Sequence, residues 1–282
     1  MIDTRRMTVE GIATSVHIGG PGRTGPAGPG LTEAVVFVHG NPDSGSDWMP
    51  LMTRVARYAT VVAPDLPGFG SAAARPDGDY TIYSYARFLH GVIEKLGIQR
   101  VHLVAHDFGG PFAAAWAADH PDRVASVTFV NTGVLVGYRW HRMARIWRTP
   151  VLGELSMRLL DPRTTAKVLA RENPGLSREW VQVIAGHLLP EKTRRAVLRL
   201  YRSTRPGDMD QLAARLREHD HNALVLFGDA DAYIPVEQAH RQAEIFPRAI
   251  VKILPGLGHW CWLENTDVVA GHLEGFLRAT LE

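Results

Sequence analysis

Three polar residues stand out by what surrounds them: Asp107, Asp231 and His259. Asp107 sits in Val104-Ala105-His106-Asp107-Phe108-Gly109-Gly110, where an apolar run enters and an Ala-rich run leaves. This is the layout of a tight strand-to-helix turn that exposes one side chain at the top of a sheet. Serine is the usual residue at such a tip, yet no G-x-S-x-G occurs in the chain. A serine must lose its proton before it attacks. An aspartate, with an ordinary pKa of about 4, is already ionised at neutral pH, and a following helix N-terminus favours that charge further. A carboxylate attacks a saturated carbon that bears a leaving group or a strained C–O bond. The product is an alkyl ester on Asp107, and water must then hydrolyse it with a general base and oxyanion donors.

His259, in Leu257-Gly258-His259-Trp260, is the candidate base. Its orienting acid lies in Gly228-Asp229-Ala230-Asp231-Ala232-Tyr233-Ile234-Pro235. Spacing to Gly228 and Pro235 favours Asp231 over Asp229. The order nucleophile, acid, histidine is the one this kind of turn carries, with the acid fixing the imidazole tautomer. The oxyanion donors are expected to be backbone N–H groups of Phe108 and of Asn41, in His39-Gly40-Asn41-Pro42.

These turns need strands to hold them. Short apolar runs at 34–38, 59–63, 101–105, 124–130, 223–227 and 250–254 read as strands. Helical patterns at 80–96, 110–119, 236–245 and 268–280 alternate with them. Such alternation predicts an α/β fold, a mainly parallel sheet flanked by helices. Residues 8–18 read as one or two antiparallel strands at the sheet edge, and the Gly/Pro-rich stretch 19–30 as a loop. The alternation breaks from 134 to 216, which reads as an inserted helical cap; the core is then 1–133 with 217–282. Trp140, Trp147, Trp260 and Trp262 are candidate pocket-lining residues. Arg139, Arg142, Arg145 and Arg148 read as a solvated cap face.

Composition excludes other classes. The 282 residues carry 31 Lys and Arg against 29 Asp and Glu, with no like-charge run of the kind that binds nucleic acid. A single cysteine, Cys261, rules out an internal disulfide and a cysteine-based metal cluster. No run approaches the roughly 20 apolar residues that span a bilayer, and the N-terminal residues lack the apolar core of a signal peptide. The expectation is a cytoplasmic enzyme that needs no cofactor or metal, with a small hydrophobic substrate and water as partners and neither nucleic acid nor membrane. Oligomeric state is left open, a homodimer being one option.

The motifs HGNP, APDLPGFG, AHDFGG, GDADAYIP and GLGHW together resemble the Asp-nucleophile branch of the α/β-hydrolase fold, from about Val35 to the C-terminus. That branch holds epoxide hydrolases and haloalkane dehalogenases. The resemblance implies a cap tyrosine that donates to an epoxide oxygen, a place that Tyr201 in Leu200-Tyr201-Arg202 matches, with Tyr138 the only other cap tyrosine. Dehalogenases of the branch bind halide with a tryptophan directly after the nucleophile. Here Phe108 stands there and has no N–H to give from its side chain. Asn41 pulls the other way, since it matches a second halide-binding position. The set implied is Asp107, Asp231, His259 and Tyr201 for catalysis, with Tyr138, Trp147 and Trp260 against the substrate. Epoxide opening to a vicinal diol is the leading expectation. The alternatives are haloalkane dehalogenation, an esterase or lactonase, and a non-catalytic relative that binds a small molecule.

Overall fold

The computed structural model describes residues 1–21 and 32–281. Most of the 19–30 stretch read as a loop therefore lies outside the described residues. The chain opens with a hairpin, β1 (Ile2–Val9) and β2 (Ile12–Gly19), followed by β3 (Glu33–Val38), α1 (Met49–Val55) and β4 (Val61–Pro64). Two helix–strand units come next: α2 (Ile82–Leu96) with β5 (Arg100–His106), and α3 (Gly109–Asp119) with β6 (Val124–Val130). Six helices follow without a strand: α4 (Arg142–Arg148), α5 (Leu152–Arg158), α6 (Pro162–Glu172), α7 (Arg178–His187), α8 (Glu191–Ser203) and α9 (Pro206–Leu216). The alternation then resumes with β7 (Asn222–Gly228), α10 (Glu237–Arg241), β8 (Arg248–Leu254), α11 (Cys261–Glu264) and α12 (Thr266–Thr280).

The strands form one eight-stranded sheet in the order β1-β2-β4-β3-β5-β6-β7-β8. β1, β2 and β4 pair antiparallel, and every pairing from β4 through β3 to β8 is parallel. The edge hairpin begins earlier than residue 8: β1 mixes exposed with half-buried positions and buries only Val9, so its low apolar content hides it in the sequence. The helix expected over 236–245 is shorter and passes into a 3-10 turn.

Two apolar layers cover the sheet, and strand periodicity divides residues between them. Ala34, Val36 and Val38 of β3 face the layer of α2 and α3, whereas Val35 and Phe37 face that of α1 and α12. The central strands are buried on both faces, as parallel strands covered by helices must be. The loops that leave β3, β5, β6, β7 and β8 all emerge at one end of the sheet, where the strand order of such folds places ligands.

The turn after β5 is tight. Asp107 has φ 47°, a left-handed backbone that costs a non-glycine residue about 1–3 kcal/mol and persists only where its surroundings enforce it. The Thr132 hydroxyl donates to the Asp107 carbonyl at 2.5 Å and holds the turn. Gly109 lets α3 approach β3: a Cβ there would lie 2.2 Å from the Val38 carbonyl oxygen. Gly109→Ala is therefore expected to destabilise the fold by about 1–3 kcal/mol or more through overpacking against backbone. Urea unfolding measures this, and an unchanged midpoint would contradict the close approach.

Candidate active site

Five loop ends and the helices between β6 and β7 meet above the sheet. The Asp107 carboxylate accepts the Asn41 N–H at 2.8 Å through Oδ1, and the Phe108 N–H as well. Both expected oxyanion donors thus converge on Asp107. His259 lies with Nε2 3.6 Å from Asp107 Oδ2, an ion-pair contact longer than a hydrogen bond. Its Nδ1–H donates to Asp231 Oδ2 at 2.7 Å. Asp229, the competing acid, is exposed and caps a turn by accepting the Gly256 N–H.

Asp231 is held by three donors: the Tyr233 and Ile234 N–H groups at 2.7 and 2.9 Å and the Asn131 amide at 2.8 Å. Asn131 follows β6 with φ 47° and its side-chain oxygen accepts the Gly228 N–H, so it ties β6 to the loop that presents the acid. Sequence reading missed Asn131, since an Asn at a strand end carries no distinctive spacing.

The charges follow from this geometry. Burial alone would lower the His259 pKa, but the Asp231 and Asp107 carboxylates overcome it and push it up to about 10. Burial would raise both carboxylates, yet the imidazolium holds each below the ordinary range. His106 packs its ring 4.4 Å from that of His259. Its Nδ1–H donates to the Val130 carbonyl, and burial together with the His259 charge presses its pKa down to about 3, so it stays neutral. Trp260 is pinned by its indole N–H, which donates to the buried Asp43 at 2.8 Å. Burial and the charges of Asp47 and Asp107 raise the Asp43 pKa.

The helical segment supplies the roof. Tyr201 of α8 is buried, and its hydroxyl oxygen lies 3.4 Å from the Asn41 side-chain amide and 3.3 Å from His141 Nε2. Asn41 thus touches Asp107 through its backbone and Tyr201 through its side chain. His141, at the start of α4, was not anticipated from the sequence, where it stands unmarked between Trp140 and Arg142. Its Nδ1 faces the Ala144 N–H, which leaves the proton on Nε2 to point at Tyr201. Burial pushes His141 down to about 4, so it is neutral, and raises Tyr201 well above its usual value, so the phenol keeps its proton.

Tyr138, the other cap tyrosine, donates its hydroxyl to the Tyr233 carbonyl at 2.9 Å. Its proton is committed to that backbone acceptor. Tyr233 itself packs 4.9 Å from His259, donates its hydroxyl to Glu172 of α6 at 2.9 Å and accepts from Asn173 at 3.0 Å. One residue therefore joins the roof to the loop of Asp231. Arg148 is not on a solvated face, unlike its expected companions. Its guanidinium donates to the Tyr201 and Thr204 carbonyls and lies 4.8 Å above the Trp140 ring.

A cavity of about 420 Å³ lies between roof and sheet, reached by Asp107, His259, Tyr201, His141, Tyr138 and both Trp147 and Trp260. Most of its remaining lining is apolar, including Leu135, Val136, Met143 and Leu188. The Trp147 indole N–H is buried without a partner. Among the described residues no cluster of His, Cys, Asp and Glu is arranged to hold a metal ion, and no helix is long and apolar enough to cross a membrane.

The family model for the alpha/beta hydrolase fold matches residues 33–266. The chain belongs to this family. It is similar to a haloalkane dehalogenase of Mesorhizobium japonicum, 30% identical and matched over 90% of this chain and 85% of the relative. It also matches a 2-hydroxymuconate semialdehyde hydrolase of Pseudomonas putida, 27% identical over 97% of this chain and 93% of the relative. Among solved structures, DBJA in its delta mutant form superposes with a TM-score of 0.82 at 25% identity, covering 99% of each chain. The epoxide hydrolase CorEH gives 0.81 at 18% identity, again over 99% of each, a likeness of fold. This α/β hydrolase thus has relatives whose reactions differ, and the side chains around Asp107 must decide among them.

The pair of carboxylates around His259 can be tested directly. In an Asp231→Asn variant the imidazolium loses its strongest supporting charge, so its pKa is expected to fall well below about 10. NMR titration of the His259 ring checks this; an unmoved pKa would show that Asp231 does not govern it.

Proposed function

We propose that this α/β hydrolase opens epoxides to vicinal diols through a covalent ester on Asp107. The observation that carries the reading is the Tyr201 hydroxyl: its oxygen faces two N–H donors, Asn41 and His141, so its own proton has no acceptor among the described residues and is free for a ligand. A phenol supported in this way is suited to deliver a proton as negative charge grows on a departing alkoxide. In the first step an Asp107 oxygen bonds to one epoxide carbon, the C–O bond breaks, and the Tyr201 proton passes to the epoxide oxygen. The Asn41 and His141 N–H groups stabilise the phenolate left behind. This gives the roof pair Tyr201 and His141, rather than Tyr201 and Tyr138, since the Tyr138 proton is already committed.

Alkylation also changes the base. While Asp107 is ionised, His259 is held protonated. Esterification removes the Asp107 charge, so the His259 pKa drops, its proton passes by way of water to the Tyr201 phenolate, and the neutral imidazole becomes free to take a proton from the attacking water. That water attacks the ester carbonyl, and the Asn41 and Phe108 N–H groups receive the oxyanion. Asp231 stabilises the imidazolium that forms. Collapse breaks the bond between the Asp107 carboxyl carbon and the alkoxide oxygen; the alkoxide takes the imidazolium proton and leaves as the diol, and the Asp107 acid gives its own proton to His259, which restores the resting pair.

A second reading rests on the unpartnered indole N–H of Trp147, which with the Asn41 amide would suit a departing halide. The similarity to a haloalkane dehalogenase supports it. Tyr201→Phe separates the two. Under epoxide opening it is expected to lower diol formation about 10²–10⁴-fold, as loss of a positioned acid does, while halide release from a haloalkane panel changes little. Halide release that exceeds diol formation in the unaltered enzyme, undisturbed by Tyr201→Phe, would favour the second reading.

The pH dependence divides by step. Alkylation uses ionised Asp107 and is expected to stay flat between about pH 6 and about pH 9, because His259 remains protonated until about 10. Ester hydrolysis needs neutral His259 and rises with pH through the lower pKa of the ester state. Stopped-flow kinetics resolves both limbs; a single shared pKa for the two steps would contradict the charge-release account.

A further inference from the structure

We propose that the outer face of α5 and α6 docks on anionic lipid surfaces and feeds the cavity from them. Val151, Leu152, Leu155 and Leu159 recur along one face of α5 at helical spacing, and each is at least half exposed. Val168 of α6 is 46% exposed. Leu159 and Val168 also line the cavity, so the apolar face runs into its mouth. A chain that buries its interior as fully as this one rarely leaves four large aliphatic side chains together in water without a use for them.

Charge on the same face names the partner. Arg158 lies one helical step from Leu155 and beside Leu159; Arg163, Lys167 and Arg171 form a stripe at i, i+4 and i+8 on α6, next to Val168. All four are exposed, and their side chains make no hydrogen bond or ion pair among the described residues. The nearby acids are already engaged: Glu154 pairs with Arg202, and Asp161 caps the start of α6. A two-fold contact between copies would set this stripe of unpaired cations against itself. Apolar side chains that enter the acyl boundary, ringed by cations that meet phosphate headgroups, are the combination that holds a helix at an anionic membrane surface. The expectation of no membrane partner rested on the lack of a spanning segment, and a peripheral contact requires only such a face. A lipophilic substrate dissolved in the bilayer would then enter past Leu159 and Val168 without crossing water.

Sedimentation of the full chain with vesicles tests this apart from any reaction chemistry. Binding is expected to mixed phosphatidylcholine–phosphatidylglycerol vesicles, weaker to pure phosphatidylcholine, and reduced by salt. Two double variants outside the cavity lining, Leu152→Glu with Leu155→Glu and Arg163→Glu with Lys167→Glu, should each lower it at least about tenfold. Circular dichroism reports folding, and the second pair carries the test if the first fails to fold. No vesicle binding by the unaltered chain, or binding unchanged in a folded variant, would overturn the proposal. So would a dimer that dissociates in the leucine variant while vesicles remain unbound, since the face would then belong to a second copy.

Discussion

One imidazole stands between two buried carboxylates, and the rest of the site follows from that arrangement. Leaving either charge unpaired at such depth would cost several kcal/mol. The protein avoids this with a cation in the middle and N–H donors at both ends. Asp231 takes two backbone donors and the Asn131 amide. Asp107 takes the Asn41 and Phe108 N–H groups. The donors that stabilise the free carboxylate are the ones that would stabilise an oxyanion on the same carbon, so one set of groups would serve both steps of the proposed reaction. The long 3.6 Å approach of His259 to Asp107 leaves the pair joined by charge more than by a shared proton.

The roof is coupled to this pair at two points. Asn41 reaches Tyr201, and Tyr233 reaches Glu172 and Asn173 while its backbone holds Asp231. Arg148 fixes the Tyr201 end of α8 from behind. A shift of the roof therefore moves the Tyr201 hydroxyl and loosens the loop of Asp231 together. Further anchors lie at the side, where His187 of α7 pairs with the buried Asp47 at 3.0 Å and Lys192 of α8 donates to the Gly70 and Ala72 carbonyls.

Much of this was legible in the sequence because it is written locally. Val35 to Val38 is a continuous apolar run, and Val101 to Ala105 is one broken only by His102, a pattern and length that suit a doubly covered strand. Asp107 is legible because the turn after such a strand needs small neighbours, and Gly109 and Gly110 supply them. The residues that escaped notice act across the fold. Apart from local bonds such as those of His141 to the Ala144 N–H and of the Tyr233 N–H to Asp231, His141, Asn131 and Tyr233 each meet their partners 60 or more positions away, and no spacing rule records such meetings. Arg148 misled for a related reason: its neighbours Arg142 and Arg145 are exposed, but one helical step turns Arg148 toward the α8 carbonyls.

The central claim is that Asp107 becomes an ester. The most direct measurement is the mass of a His259→Gln variant incubated with an epoxide, followed by peptide mapping. The account expects the protein to gain the mass of one epoxide, placed on the peptide that contains residue 107, with little diol released. Unmodified protein in the presence of an epoxide that the unaltered enzyme converts would contradict it, as would an adduct carried elsewhere.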